Sequence, residues 1–151
     1  MKMMHLAAVA FLGLTGHTVH PSLKCETPPP LCEAATRAEL VFFAEVLELT
    51  TYAEMTERGP IPQGVQAVRF NVIQTFKGLK LGQWWGLFYF DVEAKGFKQG
   101  GRYLVFAPPR RPTGVFNTGC TLTREMEKPA EEESWLRTGA VELAACFKAR
   151  H

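Results

Sequence analysis

The side chains able to do chemistry are few and poorly placed for it. Histidine occurs at His5, His17, His20 and His151, and the stretch from Ser22 to Arg150 has none. The chain has one aspartate, Asp91, and two serines, Ser22 and Ser134. A Ser-His-Asp arrangement cannot be assembled inside such a domain, and neither can a Cys-His pair or a His-rich zinc site. Glu45 and Glu48 are the nearest approach to a carboxylate pair of the kind that flanks a sugar cleft in glycosidases. On a strand these positions have opposite parity, so they are expected to face apart. The sequence therefore predicts a non-enzymatic protein with no catalytic residue, no cofactor and no metal site.

The remaining reactive residues are four cysteines, Cys25, Cys32, Cys120 and Cys146. Residues 1–18 read MKMMHLAAVAFLGLTGHT: a basic start at Lys2, an apolar run from Leu6 to Leu14, then small and polar residues. That run is too short to span a bilayer and has the length of a signal-peptide core. Cleavage is expected after Gly16 or Thr18, and no later than residue 24. An even cysteine count behind such a leader reads as two disulfides in a secreted or periplasmic protein. Spacing leaves all three pairings open, and no C-x-x-C knuckle suggests zinc. No other stretch is long and apolar enough to cross a membrane.

The elements that would position these residues can be read from pattern. With 151 residues, 46% hydrophobic and 21% charged, the chain has the composition of one globular domain. Pro28, Pro29 and Pro30 make a stiff, extended arm between Cys25 and Cys32. Residues 32–39 are a short candidate helix. Strands are expected at 40–49, 67–76, 83–90, 102–107 and 115–122, with a long loop at 50–64. In the second strand Val68, Phe70, Val72 and Phe76 are expected to point one way, and Arg69, Asn71 and Thr75 the other. Leu136, Ala140, Leu143 and Phe147 mark one face of a final helix over 131–148, with Cys146 at the edge of that face. Five strands and a terminal helix suit a small Greek-key barrel of the OB type better than a sandwich of about seven strands.

Two surfaces stand out. Trp84 and Trp85 offer an aromatic patch, although adjacent strand residues point to opposite sides, so one is expected inside. From Arg69 to Arg111 there are eight basic and two acidic residues, and from Glu125 to Glu142 two basic and six acidic. A basic, aromatic barrel face for an anionic polymer or carbohydrate is one reading. A solvated surface beside an acidic helix is the plainer one. Export argues against a nucleic-acid partner.

In order along the chain, Cys25 to Cys32 followed by AATRAELVFFAEV, then VRFNVIQTFKG, GFKQGGRYLVFA, TGCTLTRE and the last helix with Cys146 form an ordered set of motifs. Over residues 25–148 the chain resembles the tissue-inhibitor-of-metalloproteinases and netrin-like group, especially its compact bacterial-type members. The resemblance implies an OB-fold barrel and the pairings Cys25 with Cys120 and Cys32 with Cys146. It further implies a binding module that recognises another protein, with the arm Glu26, Thr27, Pro28, Pro29 and Pro30 as the partner-binding element. The family's inhibitors present the free amine and carbonyl of an N-terminal cysteine to a protease zinc. This sequence has Cys25-Glu26-Thr27 rather than C-x-C, Lys24 before Cys25, and no cysteine between Trp84 and Tyr103. Metalloprotease inhibition is thus the alternative expectation, and protein binding the leading one.

Overall fold

Alternation of Val68, Phe70 and Val72 with Arg69 and Asn71 produces the longest strand, and the sheet is arranged around its pairing. The computed structural model describes residues 29–51, 53–56, 58–80, 87–91, 96–110, 112, 114–118 and 121–149. Residues 1–28, which hold the expected leader and Cys25, and also Trp84, Trp85 and Cys120, lie outside the described residues. Helix α1 (Leu31–Arg37) leads into β1 (Leu40–Thr50), and the chain continues through β2 (Met55–Thr56), β3 (Gly59–Pro60) and β4 (Val65–Lys77). Then come β5 (Leu87–Asp91), β6 (Arg102–Ala107), β7 (Val115–Asn117) and β8 (Arg124–Glu125). The C-terminal helical segment runs from α2 (Pro129–Ser134) through a π-helical turn (Trp135–Gly139) to α3 (Ala140–Lys148).

The main sheet has the order β7-β5-β4-β1-β6-β8, and β2 and β3 form a separate hairpin. Every pairing in the main sheet is antiparallel except β5 with β7, which run parallel. The fold is mainly β, with helices at both ends of the chain. Eight strands occur among the described residues where the sequence predicts five, and the three additions, β2, β3 and β8, are two residues each. The segment read as a loop at 50–64 thus contains the small hairpin.

The sheet curls around a phenylalanine core. Phe42, Phe70, Phe88, Phe90, Phe97 and Phe116 are all buried in one cluster. A chain of rings crosses the concave side, from Phe116 to Phe90 at 5.5 Å, to Phe97 at 4.9 Å and to Tyr103 at 4.8 Å. Phe116 belongs to β7 and Tyr103 to β6, which lie on opposite sides of β1 in the sheet order, so these contacts draw the two flanks together. Offset and edge-on packing of this kind adds to the area the rings bury. The opposite face carries two smaller clusters. Val41, Phe43, Leu104 and Phe106 pack with Ala34, Ala35 and Leu143 of the helices. Ile61, Ala67 and Tyr89 pack beneath the β2–β3 side.

Irregular register revises the parity expected from sequence. The pairing of β1 with β4 shifts between Val41 and Phe42, between Phe43 and Ala44, and between Val46 and Glu48. An extra residue on one strand turns the side chains beyond it to the other face. Phe76, expected with Val68, Phe70 and Val72, therefore packs on the helix side, edge-on to Trp135 at 5.3 Å. Leu47 is the extra residue in β1, so Glu45 and Glu48 lie opposite Asn71 and Arg69 on one face rather than facing apart. β7 also stops early, at Asn117 rather than at residue 122. There Thr118 donates through its hydroxyl to the Asp91 carbonyl at 3.0 Å, and Thr121 to the Thr118 carbonyl at 2.9 Å. Threonine hydroxyls here compete with the ladder for backbone partners.

β4 ends just before Gly78, whose φ is +81° and where a Cβ would sit 2.1 Å from the Glu39 carbonyl oxygen. Gly100 has a similar φ of +73°, with nothing within 4 Å of the added carbon. Gly78→Ala is therefore expected to cost about 2–4 kcal/mol, from left-handed strain plus collision. Gly100→Ala should cost only about 1–2 kcal/mol. Urea unfolding of the two variants side by side checks this order; equal losses would mean that the Glu39 backbone moves aside.

Candidate functional site

The arm that the sequence singles out reaches the described structure at Pro29 and Pro30. Pro30 is exposed and its carbonyl accepts the Ala34 N–H at 2.9 Å, so the arm passes directly into α1. Proline suits the residue before a helix, because its fixed φ and missing N–H cost nothing there. Glu26, Thr27 and Pro28 lie outside the described residues, and so do Trp84 and Trp85.

Helix α1 is only seven residues long and too short to hold its own geometry. Two fixings hold it. Near its start, Cys32 is bonded to Cys146 of α3, with Cα atoms 5.1 Å apart. Cys146 is buried on the same side of α3 as Leu143, as the helical period predicts. At its end, the Lys77 ammonium donates to the carbonyls of Ala35, Thr36 and Ala38 at 3.0, 3.1 and 2.6 Å. Three donors meet three carbonyls that a helix C-terminus leaves without partners, where its dipole also favours a cation. The ammonium lies 5.9 Å from the centre of the Phe147 ring of α3 as well. The Phe76-Lys77-Gly78 run thus gives one residue to the helix-side core, one to the α1 terminus and one to the turn.

The C-terminal helical segment is anchored to the sheet by charge. Arg102 of β6 contacts both carboxylate oxygens of Glu132, at 2.7 and 2.6 Å, and Arg124 reaches Glu131 at 3.4 Å. Gly139 closes the π turn: a Cβ there would fall 2.7 Å from the Trp135 ring.

A second concentration of polar groups is a cavity of about 610 Å³ beside the loop at 96–101. Gln66 works there as a substitute strand. Its Oε1 accepts the Phe97 N–H at 2.7 Å and its Nε2 donates to the Phe97 carbonyl at 3.3 Å. Gly96 permits this approach, since a Cβ would lie 2.5 Å from the amide oxygen. The Lys98 N–H donates to the Tyr103 hydroxyl at 3.0 Å, and the Lys98 ammonium pairs with Glu125 at 2.8 Å. That pair holds the Lys98 pKa above its usual value, through the hydrogen bond first and the charge second. Burial pushes the Tyr103 phenol up, and the Lys98 N–H partly offsets the rise. Sequence reading missed this cavity as a site. Its signal was the F-x-x-G-x-x-Y spacing of GFKQGGRYLVFA, whose glycines and tyrosine turn out to build the loop.

Glu45 and Glu48 share a face. Glu48 is bound to Arg69 at 2.9 Å, and Glu45 lies between Asn71 and Arg102 on the neighbouring strands. Cys25 and Cys120 fall outside the described residues, so of the two expected bridges the structure contains Cys32–Cys146. Among the described residues no helix is long and apolar enough to cross a membrane. Comparison with protein-family models and with curated proteins returned no match to this chain.

Lys77→Met should cost about 2–4 kcal/mol by stripping α1 of a charged donor. Breaking the Cys32–Cys146 bridge with serines should cost about 2–4 kcal/mol. In both variants hydrogen exchange should rise in α1 ahead of the sheet; uniform protection loss would show that neither fixing acts on α1. A separate outcome concerns pH. Between the ordinary tyrosine pKa and the raised folded one, the native state keeps a proton that the unfolded chain releases. Stability should therefore fall as pH rises past about 10. Tyr103→Phe should remove that component of the alkaline decline, measured as the unfolding midpoint against pH.

Proposed function

We propose that this chain is an exported, non-enzymatic module that recognises another protein through the arm Glu26 to Pro30. The observation that carries the reading is the double fixing of α1, by the Cys32–Cys146 bond at its start and Lys77 at its end. A seven-residue helix contributes Ala34 and Ala35 as its buried residues, yet a disulfide and a triply donating ammonium both act on it. Such an arrangement suits an arm that must be presented in one direction, because preorganisation lowers the ordering cost of binding. The scaffold we infer is a five-stranded Greek-key barrel of the OB type, as in the tissue-inhibitor-of-metalloproteinases and netrin-like group. Its supports are the placing of β1 between β4 and β6 and the parallel pairing of β5 with β7. In this reading Cys25–Cys120 is the second bridge and ties the arm to the segment after β7. Secretion or a periplasmic location fits a chain with a structural disulfide.

A photo-crosslinking residue at position 27, introduced into the exported protein in its native host, should give a discrete adduct of higher mass. The same residue at Val141, exposed on α3, should not. Equal labelling at both positions, or none at position 27, would sink the assignment. With the crosslinking residue moved to position 26, replacing Thr27 and Pro28 should abolish the adduct while leaving the unfolding midpoint unchanged. The intact mass of the exported chain, alkylated with and without reduction, separates the narrower activity from the wider one. A chain starting at Cys25 would bring zinc-directed protease inhibition forward; one starting near residue 17 or 19 without free thiols would leave protein binding alone.

A further inference from the structure

The cavity beside the loop at 96–101 has its own chemistry, separate from the arm. It opens between that loop and Thr118, Thr123, Arg124, Glu125 and Glu127. Its volume falls within the range of ligand sites, roughly 300–1,000 Å³. The buried Tyr103 hydroxyl accepts the Lys98 N–H, and its own proton meets no acceptor among the described residues. Buried tyrosine hydroxyls ordinarily find one. Around it stand two cations, Lys98 and Arg124, and two carboxylates, Glu125 and Glu127. Among the described residues that line the cavity these charges balance two against two, which favours neither an anion nor a cation. A carboxylate arriving at Lys98 would have to displace Glu125, and an amine arriving at Glu125 would have to displace Lys98. What the lining offers instead is alternation: a phenol donor and an ammonium beside carboxylate acceptors. A hydroxyl group donates and accepts from one atom, so a polyol can answer both kinds of partner in adjacent positions. The Lys98–Glu125 pair is largely solvent-exposed on the lysine side, and exposed pairs of this kind rearrange at little cost.

We infer that this cavity is a binding site for a neutral saccharide of one or two rings, with Tyr103 donating to a ring or hydroxyl oxygen and Glu127 accepting from a sugar hydroxyl. Titration of the full exported, ¹⁵N-labelled protein with maltose and with N,N′-diacetylchitobiose tests it. At least one should shift the amides of Phe97, Lys98 and Glu125 saturably, with Kd of about 1 mM or tighter. Tyr103→Phe should weaken that binding about tenfold and Glu127→Gln about three- to tenfold. Glu127 is exposed, so its variant should keep the wild-type unfolding midpoint and guards against a folding defect in the tyrosine variant. Galacturonate and glucosamine, one anionic and one cationic, should bind more weakly than the neutral sugars. Absence of saturable shifts with both disaccharides overturns the proposal. So does tighter binding of a charged sugar, or binding that neither variant weakens.

Discussion

A strand buried on both faces and hydrogen-bonded on both edges leaves no room for error, and β1 is such a strand from Leu40 to Ala44. Its even-numbered side chains enter the phenylalanine core and its odd-numbered ones meet the helices. Each face is incompatible with a charge, so the run LVFFA reads as continuous apolar sequence. Everything else is arranged by reference to this strand. β4 accommodates it by adding residues at two points, which is how a straight central strand can be wrapped by a longer neighbour. The helices pack on the face that the curl leaves outside.

Side chains complete the backbone pairing that strands leave undone. Gln66 covers both polar groups of Phe97, and the Thr123 hydroxyl accepts the Phe106 N–H at 2.9 Å and donates to its carbonyl at 3.2 Å. The Thr123 hydroxyl thereby occupies a position on β6 beyond its short pairing with β8 that would otherwise be open to another chain. The cavity lies between these two substitutes, and Gln66 and Thr123 both line it.

Much of the framework was legible in the residues. The alternation in β4, the apolar run of β1 and the period of α3 each announced its element, because local pattern and burial agree there. Cys146 could be placed on the buried side of its helix for the same reason. The bulges were not legible, since nothing in Phe76 or Leu47 announces an extra residue; the cause lies in how two strands of unequal curvature match. The threonines after β7 read as strand formers, and only their hydroxyl contacts explain why the strand stops. The Lys77 contacts with α1 and the Gln66–Phe97 pairing were invisible because they join residues about 30 to 40 positions apart. The disulfide came from a resemblance and not from spacing, which had left three pairings open.

The Cys32–Cys146 bond has a mechanical consequence. It joins the chain just after the arm to the chain near the end of α3, spanning 114 positions. Tension applied between the arm and the segment beyond Lys148 would travel through one short covalent link and one turn of helix at each side. The entire sheet hangs in the loop between, off the line of force. A partner could therefore pull on the arm without shearing a strand, and the domain would behave as an inextensible knot in the thread rather than as a spring.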